Sequence, residues 1–157
     1  MSLGFRYVES YAGLFHDLDA PTVDRPMRLS VTVRGDELGD VLKTRSARIV
    51  GTIEAEGLAA HASIDGTVGF KISARRIPYE FRFRGDDGND YRFLGEKDLQ
   101  VVWVKESIGL LPASLFDAQG REIARARLHF RIKEDGLHAL RSLRLRVFGH
   151  YGGILSE

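Results

Sequence analysis

YEFRFRGDDGNDYRFLGEK, residues Tyr79 to Lys97, sets aromatic side chains at every second position on both sides of an acidic, glycine-containing loop. Before the loop Tyr79, Phe81 and Phe83 fall on one side and Glu80, Arg82 and Arg84 on the other; after it Tyr91 and Phe93 flank Arg92. A period of two is the mark of a half-buried strand. Asp87-Gly88 between the two runs supplies the positive φ that a tight hairpin turn needs. In a hairpin, alternate residues of both strands share a side, so these five rings gather in one patch. The loop itself reads as a turn. A calcium loop needs carboxylates in a defined register that GDDGND lacks, whereas Asp86, Asp87, Asn89 and Asp90 are ordinary turn formers.

The same alternation spreads in both directions. MRLSVTVR (27–34) puts Leu29, Val31 and Val33 on one side, and ARIVGTIEAEG (47–57) does so with Ile49, Ile53 and Ala55. GTVGFKIS (66–73) aligns Val68, Phe70 and Ile72, and EIARARLHFRIK (122–133) aligns Ala124, Ala126, Leu128, Phe130 and Ile132 against basic residues. QVVWV (100–104) and LPASLFD (111–117) fill the gap, and Asp65-Gly66, Asp87-Gly88 and Gln119-Gly120 are read as hairpin turns. Strands this closely spaced leave no room for crossover helices, so they pair antiparallel, and about eight of them close into a barrel or stack as a sandwich. Helical spacing occurs only in DELGDVLKT (36–44) and GLHALRSLR (136–144). The Pro-bearing DAPTVDRP (19–26) separates an N-terminal arm, 1–26, from the first confident strand, and 136–157 is read as a helix or tail.

Composition narrows the function classes. A chain of 157 residues is one domain on the usual expectation. Its 23 basic and 22 acidic residues give a net charge of +1, no general case for nucleic acid or a membrane surface. The absence of cysteine excludes disulfides, thiolate metal sites and a cysteine nucleophile. MSLGFRYVESYAGLF has no signal-peptide pattern and no apolar run is long enough to span a bilayer, so a cytoplasmic location without a transmembrane segment is expected. No nucleophile elbow, phosphate-cradling loop or dinucleotide fingerprint is present, and neither metal nor cofactor is expected. His16, Asp17 and Asp19 form the one local histidine–carboxylate cluster, read as a polar loop; His129 is read as part of a solvated face, and none of His16, His61, His129, His138 and His150 has zinc-ligand spacing. Between Arg121 and Arg146 eight basic residues face three acidic ones, but aromatic residues are not interleaved on that face, so it is read as a solvated stripe and not as a nucleic-acid site.

IPYEFRFRGDDGNDYRFLGEKDL (77–99), with VGTIEAEGLAAHASIDGTVGFKI (50–72) and RGDELGDVLKTRSARIVG (34–51), resembles the β-rich accessory region beside cholesterol-oxidase-like glucose-methanol-choline oxidoreductases. The likeness runs from about Met27 to Ile132 and lacks the flavin-binding portion, so oxidase chemistry does not carry over. It implies a β-module associated with sterol- or lipid-like substrates.

These readings converge on an all-β antiparallel β-barrel, calycin- or lipocalin-like in outline, with short helical connectors, in a single domain. The expected role is binding of an apolar small molecule or lipid, or service as an accessory module to a lipid-metabolising oxidoreductase. The shared-face rings read either as packed barrel core or as the wall of an apolar pocket; as a wall, the expected ligand-binding residues are Phe70, Tyr79, Phe81, Phe83, Tyr91, Phe93 and Trp103. No catalytic residue is assigned. A small barrel enzyme of isomerase or cyclase type is the alternative; it needs an inward acid or base beside Tyr79 or Tyr91. A scaffold using the basic stripe is a third.

Overall fold

A computed structural model describes residues 4–36, 38–71, 73–98 and 109–130. Eight strands follow one another: β1 (Phe5–Asp17), β2 (Arg25–Gly35), β3 (Ser46–Ala55), β4 (Ala59–Gly69), β5 (Arg76–Arg84), β6 (Asp90–Asp98), β7 (Leu110–Phe116) and β8 (Glu122–Phe130). A short helix, α1 (Leu38–Thr44), joins β2 to β3. Each strand pairs antiparallel with the next, and β1 pairs with β8 from Tyr11↔Phe130 to Asp17↔Ala124. The result is a closed, calycin-like barrel.

Alternation decides which residues enter it. Inward positions carry Tyr11, Phe15, Leu29, Val31, Val33, Ile49, Ile53, Val68, Leu111, Leu115 and Leu128, all essentially buried. The opening hairpin adopts the expected register, with Phe81 opposite Phe93 and Phe83 opposite Tyr91. Its loop is a turn: the Gly85 N–H donates to the Asn89 carbonyl, the Asn89 N–H donates to Asp87, and Gly88 takes φ +82°. The Asp86 carboxylate accepts the Ala60 N–H at 3.0 Å and so ties the loop to β4.

Two expectations are corrected. The N-terminal arm, 1–26, contains β1 and the start of β2, and β1 is the strand that seals the barrel between β2 and β8. Its inward set mixes Phe5, Tyr7, Tyr11 and Phe15 with a glutamate and a glycine, which dilutes the apolar alternation. Asp65-Gly66 is no turn but the middle of β4; the chain reverses at Glu56–Leu58 instead. Gly66 is needed there because a Cβ would lie 1.9 Å from the Glu80 carbonyl oxygen of β5. Glycine here lets two backbones approach at a barrel corner. The stretches 100–104 and 136–144 lie outside the described residues.

The barrel has two unlike ends. The hairpin end carries the four connections 18–24, 56–58, 85–89 and 117–121. The helix end carries α1, the start of β1 and the ends of β6 and β8.

Candidate functional site

Most of the interior is apolar, and its exception lies toward the helix end. Glu9 of β1 occupies an inward position with 6% of its surface accessible, the single buried charged residue of the described core. Tyr11, two residues on, shares its side of the strand and donates its hydroxyl to Glu9 Oε2. From the opposite wall Tyr79 of β5 donates to the same carboxylate, 3.1 Å from either oxygen. Lys97 of β6 completes the cluster, its Nζ 3.4 Å from Glu9 Oε2. The Lys97 and Glu9 side chains are 15% and 7% accessible. In a ring of eight strands β5 stands across the lumen from β1, so the cluster is a polar tie through the barrel axis.

The surroundings are aromatic. Lys97 Nζ lies 4.9 Å from the ring centre of Tyr11, 5.4 Å from that of Tyr79 and 5.6 Å from that of Phe130, a cage whose ring faces favour a cation. Phe5, Tyr7, Phe70, Ile77 and Phe130 are partly buried against the core. Gly95 opposes Tyr79 across the β5–β6 ladder, and the Phe93 and Leu111 side chains already lie within 3.0 Å of where its Cβ would stand.

Burial sets the electrostatics. The Tyr11 and Tyr79 hydroxyls are held well above the ordinary phenol range, first by burial and then by neighbouring charge and hydroxyl groups, Glu9 among them. Tyr7 is raised as well, by burial and then by the Glu9 charge. Burial pushes the Lys97 ammonium down, and the attraction of Glu9 opposes that. Three phenols therefore keep their protons as donors, while the Lys97 ammonium is held less firmly than it is in water.

The expected wall residues separate into groups. Phe81 and Phe93 stack at 4.3 Å between ring centres and are at most 1% accessible, so no ligand-sized space adjoins them. Phe83 and Tyr91 stack at 5.7 Å nearer the hairpin end, where the Tyr91 hydroxyl donates to Asp87. That hydrogen bond raises Tyr91 and lowers Asp87. Only Tyr79 and Phe70 adjoin the helix end, and Trp103 lies outside the described residues. Glu9, Tyr11 and Lys97 went unassigned in the sequence. Their signal is a charge in the inward phase of an aromatic alternation: Glu9 between Tyr7 and Tyr11, and Lys97 continuing Tyr91, Phe93, Gly95.

The histidine–carboxylate cluster disperses. Asp17 pairs with Arg25 at 2.7 Å and His16 lies 3.9 Å from Asp24. Among the described residues no three histidine or carboxylate groups converge on a metal-sized point. No described helix is long and apolar enough to cross a membrane. On the outer face an open groove of about 970 Å³ runs over Leu14, Leu94, Leu110, Pro112 and Arg127. It overlies the place where β6–β7 pairing stops, at Gly95↔Ala113, two residues short of Lys97. Compared with known proteins, the chain matches no family model, no curated protein and no solved structure.

Proposed function

We propose that the barrel binds an apolar small molecule of sterol, isoprenoid or fatty-acid type through its helix end, the ligand's polar end meeting Glu9, Tyr11, Tyr79 and Lys97. The observation that carries this reading is the hydrogen-bonded pair of buried Glu9 and partly buried Lys97 inside an aromatic surround. An eight-stranded barrel is wide enough for its own side chains or for one small ligand, and an apolar site with a few convergent polar groups is the usual form of a ligand pocket. Phe70, Tyr79 and the partly buried Phe5, Ile77 and Phe130 would form the wall. Phe81, Phe83, Tyr91 and Phe93 would form the packed floor. Service beside a lipid-metabolising oxidoreductase is the cellular role that fits such a module.

Thermal unfolding of the full chain with cholesterol, farnesol and palmitate tests this. A ligand at a hundred times its dissociation constant adds about 2.7 kcal/mol, and Tyr79→Phe should reduce that gain. Unchanged melting with all three at saturation overturns the reading.

The hydrogen bonds from Tyr11 and Tyr79 to Glu9 favour a second reading, acid–base chemistry on the bound molecule with Glu9 as the proton acceptor. It requires that the bound ligand exchange a carbon-bound hydrogen with deuterated solvent, and that Glu9→Gln abolish the exchange.

A further inference from the structure

We propose that Lys97 captures the carbonyl group of an apolar aldehyde or ketone as an imine, with Glu9 as its proton carrier and counter-ion. This rests on the reading that the helix end of the lumen takes an apolar ligand, and it specifies the chemistry of that ligand's polar end.

Three observations carry it. An ammonium has three N–H donors, yet among the described residues the one hydrogen-bond acceptor that Lys97 Nζ reaches is Glu9 Oε2. The other directions meet the faces of Tyr11, Tyr79 and Phe130. A protonated imine has a single N–H and an apolar substituent, so it suits one carboxylate in an aromatic cage better than the ammonium does. Second, burial lowers the pKa of the amine, in the direction that favours a nucleophilic nitrogen, and a carboxylate oxygen stands 3.4 Å from Nζ, within reach of its proton. Third, Lys97 lies two residues past the last β6–β7 pair and directly follows Gly95 and Glu96, which line the outer groove.

The step balances without a further reagent. Lys97 passes one proton to Glu9, and the freed nitrogen pair adds to the carbonyl carbon while the carbonyl oxygen takes up a proton from the Tyr11–Tyr79–Glu9 network. The carbinolamine nitrogen then passes its second proton to Glu9, which delivers it to the hydroxyl; water leaves, and the nitrogen pair freed by that transfer closes the C=N bond with one N–H remaining. Overall an ammonium and a carbonyl become an iminium and one water, with Glu9 ionised at the start and at the end. Neither oxidation nor reduction occurs.

The test treats the full chain with the isoprenoid aldehyde farnesal and sodium cyanoborohydride, then maps modified lysines by peptide mass spectrometry. In parallel, thermal unfolding is followed with farnesol, which has the same apolar chain and no carbonyl. The proposal expects Lys97 to be alkylated in about tenfold excess over the exposed Lys43 and Lys71, Lys97→Arg to lose that adduct, and Glu9→Gln to slow its formation. Stabilisation by farnesol with no excess label on Lys97 overturns imine capture and leaves ligand binding standing. No stabilisation by farnesol and no Lys97 label overturns both. The wild-type peptide map decides the matter even if a variant does not fold.

Discussion

Glu9 and Lys97 are each other's compensation for burial. Two charges removed from water cost more than their attraction returns unless both stay paired. Glu9→Gln therefore leaves an ammonium inside the barrel and should lower stability by about 3 kcal/mol in urea unfolding; adding Lys97→Met should recover part of that loss, a coupling read directly from the double-mutant cycle. Tyr7, Tyr11 and Tyr79 impose an alkaline limit. All three are held above the ordinary phenol value of 10.0. In the unfolded chain they ionise near that value, so their contribution is complete below it and is lost as pH rises beyond it, at about 1.4 kcal/mol per pH unit for each tyrosine. Lys97 acts with the opposite sign: its folded value lies below 10.5, so stability rises with pH between the two. Unfolding measured from about pH 9 to 12 should show the steep loss above both, and Tyr11→Phe should make it shallower by about 1.4 kcal/mol per unit. Glu9 was legible in the sequence only as an oddity. A glutamate at an alternating position is an edge charge or a buried ligand, and choosing between them requires knowing that β1 is closed on both sides.

At the level of strands, two glycines of the same type do opposite work. Gly66 sits inside β4 against the β5 backbone, and Gly66→Ala should cost about 3 kcal/mol because a carbonyl oxygen cannot move aside as a flexible side chain can. Gly88 in the β5–β6 loop has φ +82° and open space around it, so Gly88→Ala should cost about 1 kcal/mol, the left-handed backbone penalty alone. Urea midpoints of the two variants, at equal slopes, check the contrast. In sequence both follow an aspartate and both read as turns. The β5–β6 hairpin was legible because five large aromatic residues mark its alternation; Ala59 to Ser63 of β4 carry little apolar weight, so in sequence only 66–73 reads as strand there and Asp65-Gly66 reads as the turn before it.

Across the whole molecule, closure is the decisive event, and β1 performs it by pairing along eleven positions with β2 and seven with β8. Deleting residues 1–17 should therefore abolish cooperative thermal unfolding, whereas removal of a true arm would leave the transition in place. Closure also converts a hairpin patch into two environments. Phe81 and Phe93 stack in the filled middle, where Phe93→Ala should cost about 4 kcal/mol, while Tyr79, at the end of the same strand face, meets Glu9 from the far wall.

The sequence by itself determined the all-β class, the antiparallel order, the inward face of the alternating stretches at 27–34, 47–57, 79–93 and 122–130 and the turn nature of the acidic loop, because period-two alternation and turn chemistry are local properties of the chain. The tertiary structure alone decided that residues 5–17 complete the ring, that Gly66 is a point of contact, and that Glu9, Tyr79 and Lys97 meet. Those residues are 70 and 88 positions from Glu9. Only the curvature that wraps eight strands onto themselves brings such distant inward positions within hydrogen-bonding reach.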